Sequence, residues 1–274
     1  MPWFPDFTSA VELARRQTRA AGQADPVAQY LTALSDGDAR ELETVWPGEV
    51  VIHDPRAGEI RGHKQLRQFI GKNQATWADR HARTETVAAT RIGGRAVVEL
   101  LVHVAVDGHD VAWPIAVVAE SPDEFSVVFR TYCSQWPVDK LRHLRPPILK
   151  AGPDHPGDVV GRYQAALDAG DSDAVLSTFA PDGYFREPIG PHYCHRGTSE
   201  LESYFTGCFS TGGGIRLEHC VVTDDGTRCA LEYNCLRWGS HDVPPQAGLG
   251  VYERGPDGLL AAVRVYDDIE APPG

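Results

Sequence analysis

The sequence predicts an α+β protein built as two tandem domains, each with three helices followed by a mostly antiparallel sheet. The first observation behind this is an internal duplication. Tyr30, Gly37, Asp38, Asp54 and Pro55 recur 133 positions later as Tyr163, Gly170, Asp171, Glu187 and Pro188. Glu85/Glu218, Arg95/Arg228 and Glu99/Glu232 keep that offset, and Tyr132/Tyr266 are 134 apart. Chance does not hold a register over roughly a hundred residues, so one domain is written twice. The second observation is the order inside each copy: a helix, a Gly-Asp break, a short helix, then a β-type run ending in a carboxylate and proline. The third is the set of long β-type runs that fills the rest of each copy, a helices-then-strands order typical of α+β folds.

The elements follow in order. Residues 1–24 read as an N-terminal arm, with a helix over Ser9–Ala21. Domain 1 spans 25–138. Asp25-Pro26 is an N-cap with proline at the first helical position. Val27, Tyr30, Leu31 and Leu34 repeat at helical spacing, and Gly37 stops the helix. A short helix carries Leu42 and Val45, Val50–Asp54 is a strand, and a third helix covers Lys64–Ala78. Strands are predicted at Thr84–Arg91, Ala96–Val106, Val111–Glu120 and Ser126–Ser134, divided by Gly93-Gly94, Asp107-Gly108 and Pro122-Asp123. Residues 139–157, in a proline-rich stretch, read as a solvated linker. Domain 2, 158–270, restates the plan: helices at Asp158–Ala169, Asp173–Phe179 and Ser199–Phe209, then strands near Gly183–Glu187, Arg216–Thr223, Arg228–Gly239, Ala247–Arg254 and Ala261–Ile269. Gly212-Gly213-Gly214 lacks the lysine of a phosphate loop.

Composition narrows the function. A net charge of −12 opposes a nucleic-acid partner, which requires clustered Lys and Arg. No apolar run reaches the length of a membrane span, and Met1–Phe7 has neither the basic nor the apolar part of a signal peptide. A cytoplasmic protein is expected. The six cysteines show no metal-like spacing and are expected as free thiols. No metal or cofactor is expected.

The Tyr-to-carboxylate spacing is 24 residues in both copies. With Arg162-Tyr163 and Glu187-Pro188, and with Tyr30 and Asp54-Pro55, the chain resembles the NTF2-like superfamily in its SnoaL-like and ketosteroid-isomerase-like branch. The resemblance implies a cone-shaped domain, an oxyanion-binding tyrosine on the first helix and a proton-shuttling carboxylate before the proline. It also implies that the two domains pair sheet to sheet as a pseudo-dimer within one chain, with a monomer as one of the oligomeric states left open. Aligned with that family, and with residues two apart sharing a strand face, the inner set holds Glu99, Leu101 and His103 in domain 1. In domain 2 it holds Ala230, Glu232, Asn234, Leu236 and Trp238. On the last strand Val263, Val265 and Asp267 face inward, with Cys133 at the position of Asp267.

The catalytic candidates are therefore Glu187, Tyr163, Asp267, Glu232, Asp54 and Tyr30. The substrate-binding candidates are Asn234, Trp238, Glu99, His103 and Phe205. Carboxyl groups sharing an apolar cavity are driven apart in proton affinity, dividing base from acid. The isomerase pattern also requires a protonated aspartate on the penultimate strand, where this chain has Ala116 and Gly248-Leu249. Steroid isomerisation is not expected. The expected activity is isomerisation or cyclisation of an apolar, oxygenated, polyketide- or terpenoid-like small molecule in secondary metabolism. The alternatives are an epoxide-opening enzyme of the polyether type and a non-catalytic binding or scaffold protein. Domain 2, richer in inward carboxyl and amide groups, is expected to hold the main site.

Overall fold

A computed structural model describes residues 20, 23 and 25–269. The predicted arm and its helix at Ser9–Ala21 lie outside the described residues, apart from residues 20 and 23. Helix α1 (Pro26–Asp36) opens as the sequence predicts, the Asp25 carboxylate accepting from Ala28 N at 3.1 Å. It closes at Gly37, whose φ of 72° a side chain resists. Then come α2 (Arg40–Val45), β1 (Val50–Asp54), β2 (Gly58–Arg61), α3 (His63–Asp79), β3 (Arg83–Ile92), β4 (Arg95–Val106), β5 (His109–Glu120), β6 (Val127–Tyr132) and the one-turn helix α4 (Trp136–Asp139). The second copy gives α5 (Val159–Ala169), α6 (Ser172–Leu176), β7 (Phe179–Arg186), β8 (Cys194–Arg196), α7 (Gly197–Cys208), β9 (Ile215–Asp224), β10 (Arg228–Trp238), β11 (His241–Arg254) and β12 (Leu260–Tyr266).

Each copy forms a six-stranded sheet, in the orders β2-β1-β6-β5-β4-β3 and β8-β7-β12-β11-β10-β9. β1 runs parallel to β6 and β7 parallel to β12, so both sheets are mixed in the same place. Composition and turn signals did not reveal the short strands β2 and β8. Each pairs antiparallel with its predecessor and returns the chain to the helix that follows.

By contact density the chain divides into two compact units. One holds the described residues up to 82 together with 94–96 and 117–131; the other holds 83–93, 97–116 and the described residues from 132 onward. In the first unit Tyr30 stacks on Phe129 at 4.5 Å, and Trp46 Nε1 donates to Gln29 Oε1 at 3.1 Å. Leu42, Ile52, Leu66 and Ile70 are buried around them.

The second unit contains the second copy and part of the sheet of the first. Two buried glutamates join the copies within it. Glu99 on β4 accepts from Tyr266 Oη at 2.7 Å and from Arg264 Nη2 at 2.8 Å. Glu232 on β10 accepts from Tyr132 Oη at 2.7 Å. These are the same contact made twice, since the glutamates are 133 apart and the tyrosines 134. The equivalent positions Ser134 and Asp268 meet each other, Ser134 Oγ donating to Asp268 Oδ1 at 2.7 Å.

Residues 139–157 are exposed or half-buried, and part of the stretch is hydrogen-bonded to the second copy. Arg145 O accepts from Ala247 N at 2.9 Å, Gly152 N donates to His219 O at 2.9 Å, and Leu149 O accepts from Asn234 Nδ2 at 3.1 Å. These three backbone groups find their partners in the second copy's sheet.

Candidate active site

A cavity of about 350 Å³ lies in the second copy. On α5, Tyr163 and Leu167 stand one turn apart and face it together. α7 contributes Tyr204, Phe205 and Cys208; β10 contributes Tyr233, Cys235 and Trp238; Tyr252 comes from β11. The aromatic walls support one another, Tyr163 lying 5.6 Å from Tyr252 and 5.8 Å from Phe179 between ring centroids. Three charged side chains reach this apolar space: Glu187 beyond the end of β7, Asp267 beyond the end of β12, and Arg142 from the segment between the copies.

Asp267 is 8% exposed. Its Oδ2 accepts from Tyr233 Oη at 2.6 Å and its Oδ1 from Ile269 N at 3.2 Å. Burial pushes its pKa up to about 6, against the opposing pull of those two hydrogen bonds. This carboxyl group therefore exchanges its proton near neutral pH. Glu187 differs in that His195 Nε2 sits 2.8 Å from its Oε1. The His195 ring stacks on Tyr204 with centroids 4.2 Å apart. Burial raises the Tyr163 phenol well above its ordinary value, so it stays a neutral donor. Among the described residues, no hydrogen-bond partner of its hydroxyl is found. Burial also pushes the thiols of Cys208 and Cys235 up, to about 11 and about 12, so neither is a thiolate nucleophile at neutral pH.

Five predicted residues thus share one cavity: Tyr163, Glu187, Asp267, Phe205 and Trp238. Six do not. Glu232 and Asn234 lie on the other face of β10, where Glu232 takes Tyr132 and Asn234 Nδ2 donates to Leu149 O and to Glu218 Oε2, both at 3.1 Å. The predicted register on this strand was one residue out, which turns every side chain over. A bulge between Cys235 and Arg237 then returns Trp238 to the cavity face. Glu99 is displaced for the same reason and pairs with Arg264 and Tyr266. His103 is at the surface, 3.6 Å from Asp110 and 3.9 Å from Glu85. The Asp54 carboxylate caps its own turn, accepting from Arg56 N at 2.9 Å and Ala57 N at 2.8 Å. Tyr30 is a core residue whose hydroxyl bonds the Thr131 side chain.

Sequence reasoning missed Tyr233, Tyr252, His195 and Arg142. Tyr233 fell on a strand face assigned outward, and no face was assigned on the strand that carries Tyr252. His195 had a faint signal in the Pro188–Gly190 turn, which reads as a hairpin returning toward Glu187. Arg142 had none, because nothing in a proline-rich stretch tells which side chain folds back.

A mixed sheet with helices over one aromatic cavity, a buried carboxyl group and a free phenol at its wall defines an α+β small-molecule pocket of the NTF2-like kind. The chain belongs to the SnoaL-like domain family, which matches residues 27–129 and 160–263. Its fold is similar to a SnoaL-like protein of unknown function from Burkholderia thailandensis (20% identity, TM-score 0.33, 38% of this chain and 87% of that one). It is also similar to the epoxide hydrolase/cyclase-like enzyme SalBIII of salinomycin pyran ring formation (20%, 0.34, 39% and 86%). A third is a Catenulispora acidiphila protein with a ketosteroid isomerase-like fold, solved with trimethylamine (14%, 0.35, 43% and 90%).

Proposed function

We propose that the second copy is an acid–base isomerase or cyclase of apolar, oxygenated small molecules such as polyketides or terpenoids, working in the cytoplasm. We read the molecule as an intrachain pseudo-dimer, a reading supported by the repeated Tyr–Glu contact. The observation that carries the function is Asp267, a carboxyl group with a pKa of about 6 facing the same aromatic cavity as Glu187 and Tyr163. In this reading Glu187 removes a proton from carbon beside a carbonyl. The Tyr163 hydroxyl donates to the developing oxyanion, and Asp267 delivers the proton that completes the product. A placed carboxylate base contributes about 10²–10⁴-fold. A donor aimed at the oxyanion in a dry site adds about 10²–10³-fold.

Proton exchange of the bicyclic ketone 2-tetralone in D₂O, followed by NMR, tests this without knowledge of the natural substrate. The wild type is expected to deuterate C1 above the buffer rate, and Glu187→Gln to lose about 10²–10⁴-fold of that. A wild type no faster than buffer contradicts the reading. The same pair of carboxyl groups suits epoxide opening, because a carboxyl group protonated near pH 6 can donate to an epoxide oxygen while Glu187 activates the nucleophile. Hydrolysis of styrene oxide without tetralone exchange selects that alternative. Ligand retention with neither activity selects a binding protein.

A further inference from the structure

We propose that His195 is the positioning residue of Glu187 and its proton outlet to solvent. The inference rests on the acid–base reading and adds a route that reading leaves open. Once Glu187 has taken a substrate proton and Asp267 has given one, both groups stand in the wrong state for the next turnover. Asp267 recovers its proton from the cavity when product leaves. Glu187 must lose one; its side chain is 23% exposed, and the cavity wall beside it is aromatic, with Phe185 on β7 and Tyr204 and Phe205 from α7.

The imidazole provides a direct, hydrogen-bonded route. β8 pairs with β7 so that His195 stands opposite Phe185, two positions from the carboxylate. Nε2 touches Glu187 Oε1 at 2.8 Å, and the ring is clamped flat against Tyr204 at 4.2 Å. His195 does not line the cavity, yet its side chain is 27% exposed. It therefore touches the carboxylate on one side and water on the other. The proton passes from Glu187 Oε1 to Nε2, the resulting imidazolium exchanges its ring protons with water, and the carboxylate is restored. No other reactant is consumed, and the transfer spans a single hydrogen bond.

The first copy lacks this device. There β2 pairs with β1 so that Ile60 stands opposite Ile52, the counterpart of Phe185. Ile60 is buried and apolar. The outlet therefore accompanies the copy that has Asp267, whereas the first copy has Cys133 and Ile60 in the equivalent places.

Two readouts on 2-tetralone in D₂O test the proposal, with His195→Gln as the variant. Glutamine keeps a donor for Glu187 and cannot relay a proton. In dilute, weakly basic buffer, His195→Gln is expected to deuterate C1 about tenfold or more slowly than wild type with tetralone affinity unchanged. Added imidazole, a mobile proton carrier, is expected to restore the rate. His195→Ile, which copies the first half, should show the same loss and the same rescue. Wild-type exchange by His195→Gln in dilute buffer overturns the relay, as does a loss that imidazole leaves untouched while the melting curve is normal. In both cases the acid–base reading survives. A wild type that fails to exchange tetralone removes that reading and the relay with it.

Discussion

Burial of Asp267 beside Tyr233 and Cys235 has a thermodynamic consequence that can be measured without any substrate. Its folded pKa of about 6 lies above the ordinary 3.8, so between these values the folded state holds a proton that the unfolded state has released. Its contribution to stability is complete below the lower value and is lost as pH rises through the upper one, about 3 kcal/mol in all and roughly half of it above pH 5. Asp267→Asn removes this titration. Urea unfolding of wild type minus variant is expected to drift in the variant's favour from pH 5 to pH 8 by about 1 kcal/mol. A flat difference shows that the carboxyl group is not buried as described. Tyr163→Phe acts on the rate instead. With no hydrogen bond of its hydroxyl found in the resting site, the substitution is expected to leave stability nearly unchanged and to cost about 10²–10³-fold in tetralone exchange.

At the scale of elements, the helices were legible because their signals are local. Asp25 and Asp158 cap, Gly37 and Gly170 stop, and each does so within one turn of the residues it serves. The carboxylate-proline end of β7 and the last strand's inward set, Val265 and Asp267, were legible through the repeat and the family pattern. β10 was not. Its facing is set by irregular pairing with β9 between Glu232 and Tyr233, and by the bulge near Cys235, neither of which leaves a composition mark. The run Cys229–Cys235 is buried on both faces, so alternation offers no guide either. Glu232→Gln should weaken the bond from Tyr132 and cost about 1–3 kcal/mol in urea unfolding. It should leave tetralone exchange at the wild-type rate, and a loss of exchange with stability intact would return Glu232 to the mechanism.

For the molecule as a whole, the duplication predicted two copies of one fold, and the inward residues predicted domain 2 as the main site, although two of them, Glu232 and Asn234, lie on the other face of β10. Both glutamates singled out as inward carboxyl groups instead tie the copies together. The Glu99–Arg264 contact is a buried charge pair, 1% and 4% exposed at the side chains. Glu99→Gln leaves the guanidinium with Glu253 as its remaining carboxylate, 3.0 Å away, and is expected to cost about 3 kcal/mol. Thermal unfolding checks this, and an unchanged midpoint contradicts it. The proposed asymmetry of function rests on single positions: Asp267 against Cys133, His195 against Ile60, and a cavity carboxylate at Glu187 against a turn cap at Asp54. The most direct measurement compares Glu187→Gln with Asp54→Asn in the same tetralone exchange assay. The account predicts a loss of about 10²–10⁴-fold in the first and a wild-type rate in the second. Near-wild-type exchange by Glu187→Gln, or its abolition by Asp54→Asn, contradicts it.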